Sequence, residues 1–205
     1  MIYAAPMDFN EEKSLIDEAR RRHREGHADE AFRLLNVAAD AGSIGAMVEL
    51  AHMERAAGKK AESDKWIDRA EVELQPGDLD GHITLNGAYS LGLGRGEREF
   101  LERRALYHLE QVAMAGNAVA QERLALDHLH GLNGCERDYA EFERWIGEAI
   151  KAGSSRAVFI YVESLFRAKR PIPPHLLSKL AESQRDNKVA AKLLRAIDNS
   201  RKKSR

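Results

Sequence analysis

Apolar residues recur at intervals of three and four along most of the chain, and alternation at period two never persists. Ala, Leu, Glu, Arg and Lys fill the positions between, so intrinsic preference and pattern agree on helix. Glycine punctuates at Gly26, Gly42, Gly58, Gly77, Gly92, Gly116, Gly131 and Gly153. Each closes a helical segment, the place of a C-cap glycine. The expected helices are 11–25, 28–41, 44–57, 60–75, 79–91, 98–115, 117–130, 138–152, 155–169, 174–185 and 187–201. Pro171-Ile172-Pro173-Pro174 breaks the pattern, and Pro174 suits a first helical position. The class is all-α, with ten or eleven helices.

These helices repeat. Ala39-Asp40-Ala41-Gly42-Ser43, Ala113-Met114-Ala115-Gly116-Asn117 and Ile150-Lys151-Ala152-Gly153-Ser154 are alike. The last two glycines lie 37 residues apart and the first two 74 apart, and Gln75-Pro76-Gly77-Asp78 fills the midpoint. After each junction a small residue opens a helix: Ala46, Gly81, Ala120, Ala157. Counting from it, offset four gives Leu50, Leu85, Leu124 and Tyr161, and offset five gives Ala51, Asn86, Ala125 and Val162. Offset eight gives Glu54, Tyr89, His128 and Leu165, and offset eleven gives Ala57, Gly92, Gly131 and Ala168. Offsets 0, 4, 8 and 11 predict one buried stripe. In the partner helices Leu34, Trp66, His108 and Trp145 each precede a small residue by four: Ala38, Ala70, Val112, Ala149. Large beside small suits ridge-into-groove packing.

Gly131-Leu132-Asn133-Gly134, Asp138-Tyr139, Trp145, Ala149, Gly153 and Ala157 resemble the Sel1-like repeat, a relative of the tetratricopeptide repeat. The likeness covers roughly residues 12 to 170 and is strongest over 113–165. It implies a right-handed α-solenoid of antiparallel helix pairs, in which stacked neighbours bury what one pair cannot. The pairs expected are 11–41, 44–75, 79–115, 117–152 and 155–185, with 187–201 as a capping helix, in one domain over 1–205.

Composition agrees with a foldable chain, 43% hydrophobic and 32% charged. No apolar run is long enough to span a membrane, and the start, Met1-Ile2-Tyr3-Ala4-Ala5-Pro6, has no basic n-region, so cytoplasm is the expected compartment. The formal net charge is −1, but Arg185 to Arg205 carries eight basic and two acidic residues. That tail, and Arg20-Arg21-Arg22-His23-Arg24, could touch phosphate. No aromatic residues interleave with them, so nucleic acid is the weaker reading and a solvated helix surface the stronger.

Catalytic signatures are missing. There is no P-loop, no His-Glu-x-x-His and no Gly-x-Ser-x-Gly, and the Gly92-Leu93-Gly94-Arg95-Gly96 run follows a helix, not a strand. His128 and His130, two apart, point to different sides, and His23 and His27 flank a turn at Gly26. Cys135 reads as a bystander thiol in a loop. The expectation is therefore no enzyme, no metal and no cofactor.

What the resemblance implies instead is a concave, partner-binding face on the first helix of each pair. Carried onto this register it falls at offsets 2, 6, 9 and 10: Val48, His52, Arg55 and Ala56; Ile83, Gly87, Ser90 and Leu91; Glu122, Leu126, Leu129 and His130; and Arg156 with Phe159, Glu163, Phe166 and Arg167. Those chosen as site residues are His52, Arg55, Ile83, Ser90, Glu122, His130, Arg156, Phe159, Glu163, Phe166 and Arg167. Phe159 suits the groove and packing against 174–185 and 187–201 equally, and Phe166 suits packing better. Ile2, Tyr3, Met7 and Phe9 form an apolar cluster ahead of the first helix that could plug the groove. The function expected is that of an adaptor or scaffold binding a protein or peptide. The alternative is an immunity protein that occludes a toxin's active site.

Overall fold

A capped helix start recurs along the chain. The side-chain oxygens of Ser43, Asp78, Asn117 and Ser154 accept the backbone N–H of Ala46, Gly81, Ala120 and Ala157, at 3.0, 2.8, 3.0 and 3.0 Å. These bonds satisfy otherwise orphaned donors and fix where each first helix begins. In the computed structural model, which describes residues 8–183 and 188–203, the helices are α1 (Phe9–Arg24), α2 (Ala28–Asp40), α3 (Ile44–Ala56), α4 (Lys60–Glu73), α5 (Leu79–Ser90), α6 (Arg98–Met114), α7 (Ala118–His130), α8 (Tyr139–Lys151), α9 (Ser155–Arg167), α10 (Pro174–Ser183) and α11 (Lys188–Lys203). Among the described residues there is no strand. Every expected helix is present. The largest shift at a start is at α1, which begins two residues early because Asp8 caps the N–H groups of Asn10 and Glu11.

The turns from α2 to α3 and from α8 to α9 are Schellman motifs, whereas α4 ends on extended Leu74. Ser43 N–H reaches Ala38 O at 3.1 Å and Gly42 N–H reaches Ala39 O at 3.0 Å; Ser154 and Gly153 repeat both bonds onto Ala149 and Ile150. Gly42, Gly116 and Gly153 hold φ of 92°, 92° and 90°, which only glycine adopts without strain. The serine that finishes one helix thus caps the next.

By contacts the chain divides between Val112 and Ala113. In the first unit α1 packs on α2, α2 on α3, and α3 on both α4 and α5. Asn86, at offset five, donates to Ala105 O at 2.7 Å and ties α5 to α6. The core holds Leu35, Ala46, Leu50, Ala51, Ile67 and Leu85. In the second unit α7 packs on α8, α8 on α9 and α9 on α10, with α11 against α9 and α10. Val158, Val162, Leu165, Leu176, Leu180 and Ile197 form its terminal core.

The matching positions agree. Ala46, Gly81, Ala120 and Ala157 are all buried, as are Leu50, Leu85 and Leu124, and Ala38, Ala70, Val112 and Ala149. Offset eleven departs from the expected stripe: Ala57 and Ala168 are exposed C-caps, because their helices end at offset ten. Cys135 is buried within its loop. Ile2, Tyr3 and Met7 of the proposed plug lie outside the described residues, as do Arg185 and Arg205 of the basic tail. Phe9 belongs to α1.

Candidate interaction site

The first unit carries a groove of about 460 Å³ where α1 faces the opening turns of α3 and α5. Ile16 and Ile44 are buried in its floor, and Ile83 presents 48% of its surface at its edge. Glycine shapes it. A Cβ on Gly45 would stand 3.1 Å from Ile16 Cδ1, and one on Gly81 would stand 2.4 Å from Asp78 Oδ2. A glycine within a helix costs about 1 kcal/mol against alanine; here the missing methyl of Gly45 lets α1 approach α3, and that of Gly81 makes room for its own cap, Asp78, and for Leu74.

Charged groups rim the groove. Ser43 Oγ donates to the Glu12 carboxylate while accepting from Ala46. Arg20 Nε donates to Glu49 at 2.9 Å, and Arg20 lies 3.6 Å from Asp17. Asp80 is exposed in the first turn of α5. Lys13 and Arg20 are the cations of the lining, against Glu12, Asp17, Asp78 and Asp80.

The sequence-predicted residues scatter around this groove. Ile83 lines it. His52 is half-buried on α3, and Arg55 is drawn to Asp64 of α4 at 3.0 Å. Ser90 and His130 are exposed at the last positions of α5 and α7. In the second unit three predicted groups do meet. Glu122 is buried on α7, takes a hydrogen bond from Ser154, and lies 3.5 Å from Arg156. A ligand there would therefore meet Arg156 first. Phe159 and Phe166 both pack against the terminal core of α9, α10 and α11. Glu163 and Arg167 pair with each other at 2.7 Å on the exposed side of α9.

Sequence reasoning missed Glu12, Asp17, Gly45 and Asp80. Gly45 and Asp80 both precede the buried small residue by one, a position outside the stripe, so periodicity gave them no weight.

A second polar cluster lies inside the first unit. Glu71 of α4 accepts from Tyr89 OH at 2.6 Å, from His108 Nε2 at 3.0 Å, and from Arg104. His108, fully buried on α6, meets His82 of α5 with the two Nδ1 atoms 2.8 Å apart. Only one proton fits between them. Burial would raise the Glu71 carboxyl, but hydrogen bonds from His108, Tyr89 and Arg104 overcome it and hold the group down at about 2. Burial and the neighbouring His108 push His82 below its ordinary value. Burial and the bond to Glu71 push Tyr89 up. With Tyr89 stacked on the His108 ring at 5.7 Å, the cluster locks α4, α5 and α6 together.

Among the described residues, no helix is long and apolar enough to cross a membrane. Neither a family model nor a curated relative matches the sequence. Solved structures do. A Sel1 repeat protein from Oxalobacter formigenes superposes with a TM-score of 0.55 at 21% identity, over 91% of this chain and 78% of its own. A protective antigen of uropathogenic Escherichia coli with an SLR fold gives 0.54 at 19% identity, over 85% of this chain. The present chain spans only 38% of the length of that antigen. The fold is that of the Sel1-like repeat, with all-helical antiparallel pairs.

Proposed function

We propose that the protein is an interaction module, an adaptor or scaffold without chemistry of its own, and that a protein or peptide ligand binds along the α1/α3/α5 groove. The observation that carries this reading is the groove itself: a concavity floored by isoleucines, with half-exposed Ile83 at its edge, walled by helices whose starts are fixed by side-chain caps. Such a site is formed before the ligand arrives, so binding orders little of the protein and retains more of the contact energy. The α9 side chains Arg156, Phe159, Glu163, Phe166 and Arg167 are proposed as a second contact, of which Arg156 and Arg167 are the most exposed. Occlusion of a toxin's active site has in its favour only the acidity of residues 1–112.

Affinity capture from native lysate with wild type beside Ile83→Arg and Arg156→Glu tests this. Loss of a partner with Ile83→Arg alone places it in the groove. Recovery of every partner by both variants at wild-type levels would remove the proposal.

A further inference from the structure

The charge on the groove selects its ligand. Residues 1–112 contain 22 acidic and 15 basic side chains, a formal net of −7. At the groove the excess is local. Glu12, Asp17, Asp78 and Asp80 face Lys13 and Arg20, and Arg20 is shared between Glu49 at 2.9 Å and Asp17 at 3.6 Å. The hydroxyl of Ser43 and the backbone N–H of Gly81 hold Glu12 and Asp78 in place without neutralising them. Asp80 makes no ion pair among the described residues. Beside these carboxylates the floor is aliphatic: Ile16, Ile44 and Ile83. An acidic ligand would meet repulsion here. A purely apolar one would leave the carboxylates desolvated and unpaired, which is costly.

We infer that the groove receives a cationic segment of another protein, in which an aliphatic side chain rests against Ile83 while flanking lysines or arginines meet Asp17 and Asp80. This rests on the groove being the binding site. Complementary charge of this kind accelerates encounter and rejects wrong partners. Gly45, the second residue of α3, adds no side chain to the groove wall beside Ile16.

A display library of short random peptides, selected on the full chain and scored against Ile83→Arg, tests the inference. The expected outcome is a set of Ile83-dependent binders enriched in Lys or Arg next to Leu, Ile or Val. A synthetic peptide of that consensus should bind with an affinity that falls as salt rises. It should weaken roughly tenfold or more on Asp17→Lys/Asp80→Lys, both exposed positions whose change leaves the circular dichroism spectrum as in wild type. Ile83-dependent binders that are neutral or acidic would overturn the cationic assignment and leave the groove standing. Binders indifferent to Ile83→Arg, or none, would overturn both. Concentration-dependent dimerisation abolished by Asp17→Lys/Asp80→Lys, without peptide binding, would assign the groove to a second copy of this chain and overturn the inference.

Discussion

The two units begin their helices with the same chemistry and use it to opposite ends. In the first, Ser43 caps α3 and bonds Glu12 of α1; in the second, Ser154 caps α9 and bonds Glu122 of α7. The next register position but one differs. Gly45 presents no side chain, and Ile16 of α1 packs close against the backbone there. Arg156 stands in the matching place and reaches across to Glu122 at 3.5 Å. Both units keep a concavity beside this cap, but in the second an ion bridge holds the matching position, with formal charges of −7 over 1–112 and +6 over 113–205. A conserved-looking cap supplies the scaffold, and the residue just before the buried small one decides what the surface offers.

The comparison can be stressed first through the cores. Leu50→Ala and Leu124→Ala remove fully buried side chains from matching sites, and each should cost about 2–5 kcal/mol in denaturant unfolding. Markedly unequal costs would show that the shared register does not carry equal packing.

The second unit repeats part of the Glu71 cluster, with Glu143 accepting from Tyr161 OH at 2.8 Å and pairing with Arg170 at 3.2 Å, but the His82–His108 pair belongs to the first unit's network, so acid should affect the two differently. Glu71 has a depressed folded pKa, so its stabilisation is present above the ordinary carboxyl value of 4.5 and fades as pH falls toward about 2. At neutral pH this contribution is on the order of 3 kcal/mol. His82 is neutral-favouring in the fold, so protons bind the unfolded chain more readily and stability drops as pH falls below 6.5. Hydrogen exchange followed from pH 7 to about pH 2.5, through the windows of both His82 and Glu71, should show α4, α5 and α6 losing protection before α9 and α10. Equal loss in both units would contradict the lock.

Caps come next in size. Ser43→Ala and Ser154→Ala should each destabilise by about 1 kcal/mol, and Ser154→Ala by more, because Glu122 is only 5% exposed and would lose its hydroxyl partner. Thermal melts of the two variants give the ranking directly.

The smallest effect on stability, and the sharpest on surface, is the exchange of the distinguishing residue. Gly45→Arg should change stability by no more than about 1 kcal/mol, helix propensity offsetting the contact with Ile16 Cδ1, which lies at the flexible end of its side chain. It should nevertheless abolish ligand binding at the groove in a titration. Unchanged affinity would separate the groove's openness from its use.

Much of this architecture was legible in the chain. Helix bounds followed from glycine spacing and three-four periodicity because the stop signal is local backbone chemistry. The buried alanines and leucines at offsets zero and four followed because a repeat exposes its own packing code. The groove did not, since Gly45 and Asp80 matter through the side chains opposite them, and those come from α1 and from the opening of α5. Nor did the role of His108. Its ring could be placed beside Val112 from spacing alone, but its partner Glu71 lies 37 residues away on another helix. The Phe159–Phe166 pair was ambiguous in sequence for a like reason: whether α10 and α11 cover them is a matter of tertiary packing.

A serine that is at once the last residue of one turn and the first cap of the following helix leaves that connection no slack. Inserted sequence at 41–43 or 152–154 would have to sacrifice either the glycine exit or the serine start, so foreign segments belong in the longer 91–97 and 131–138 connections. Lengthening such a protein by duplication should likewise proceed in whole blocks cut at these serines, because only then does every new junction inherit both halves of its knot.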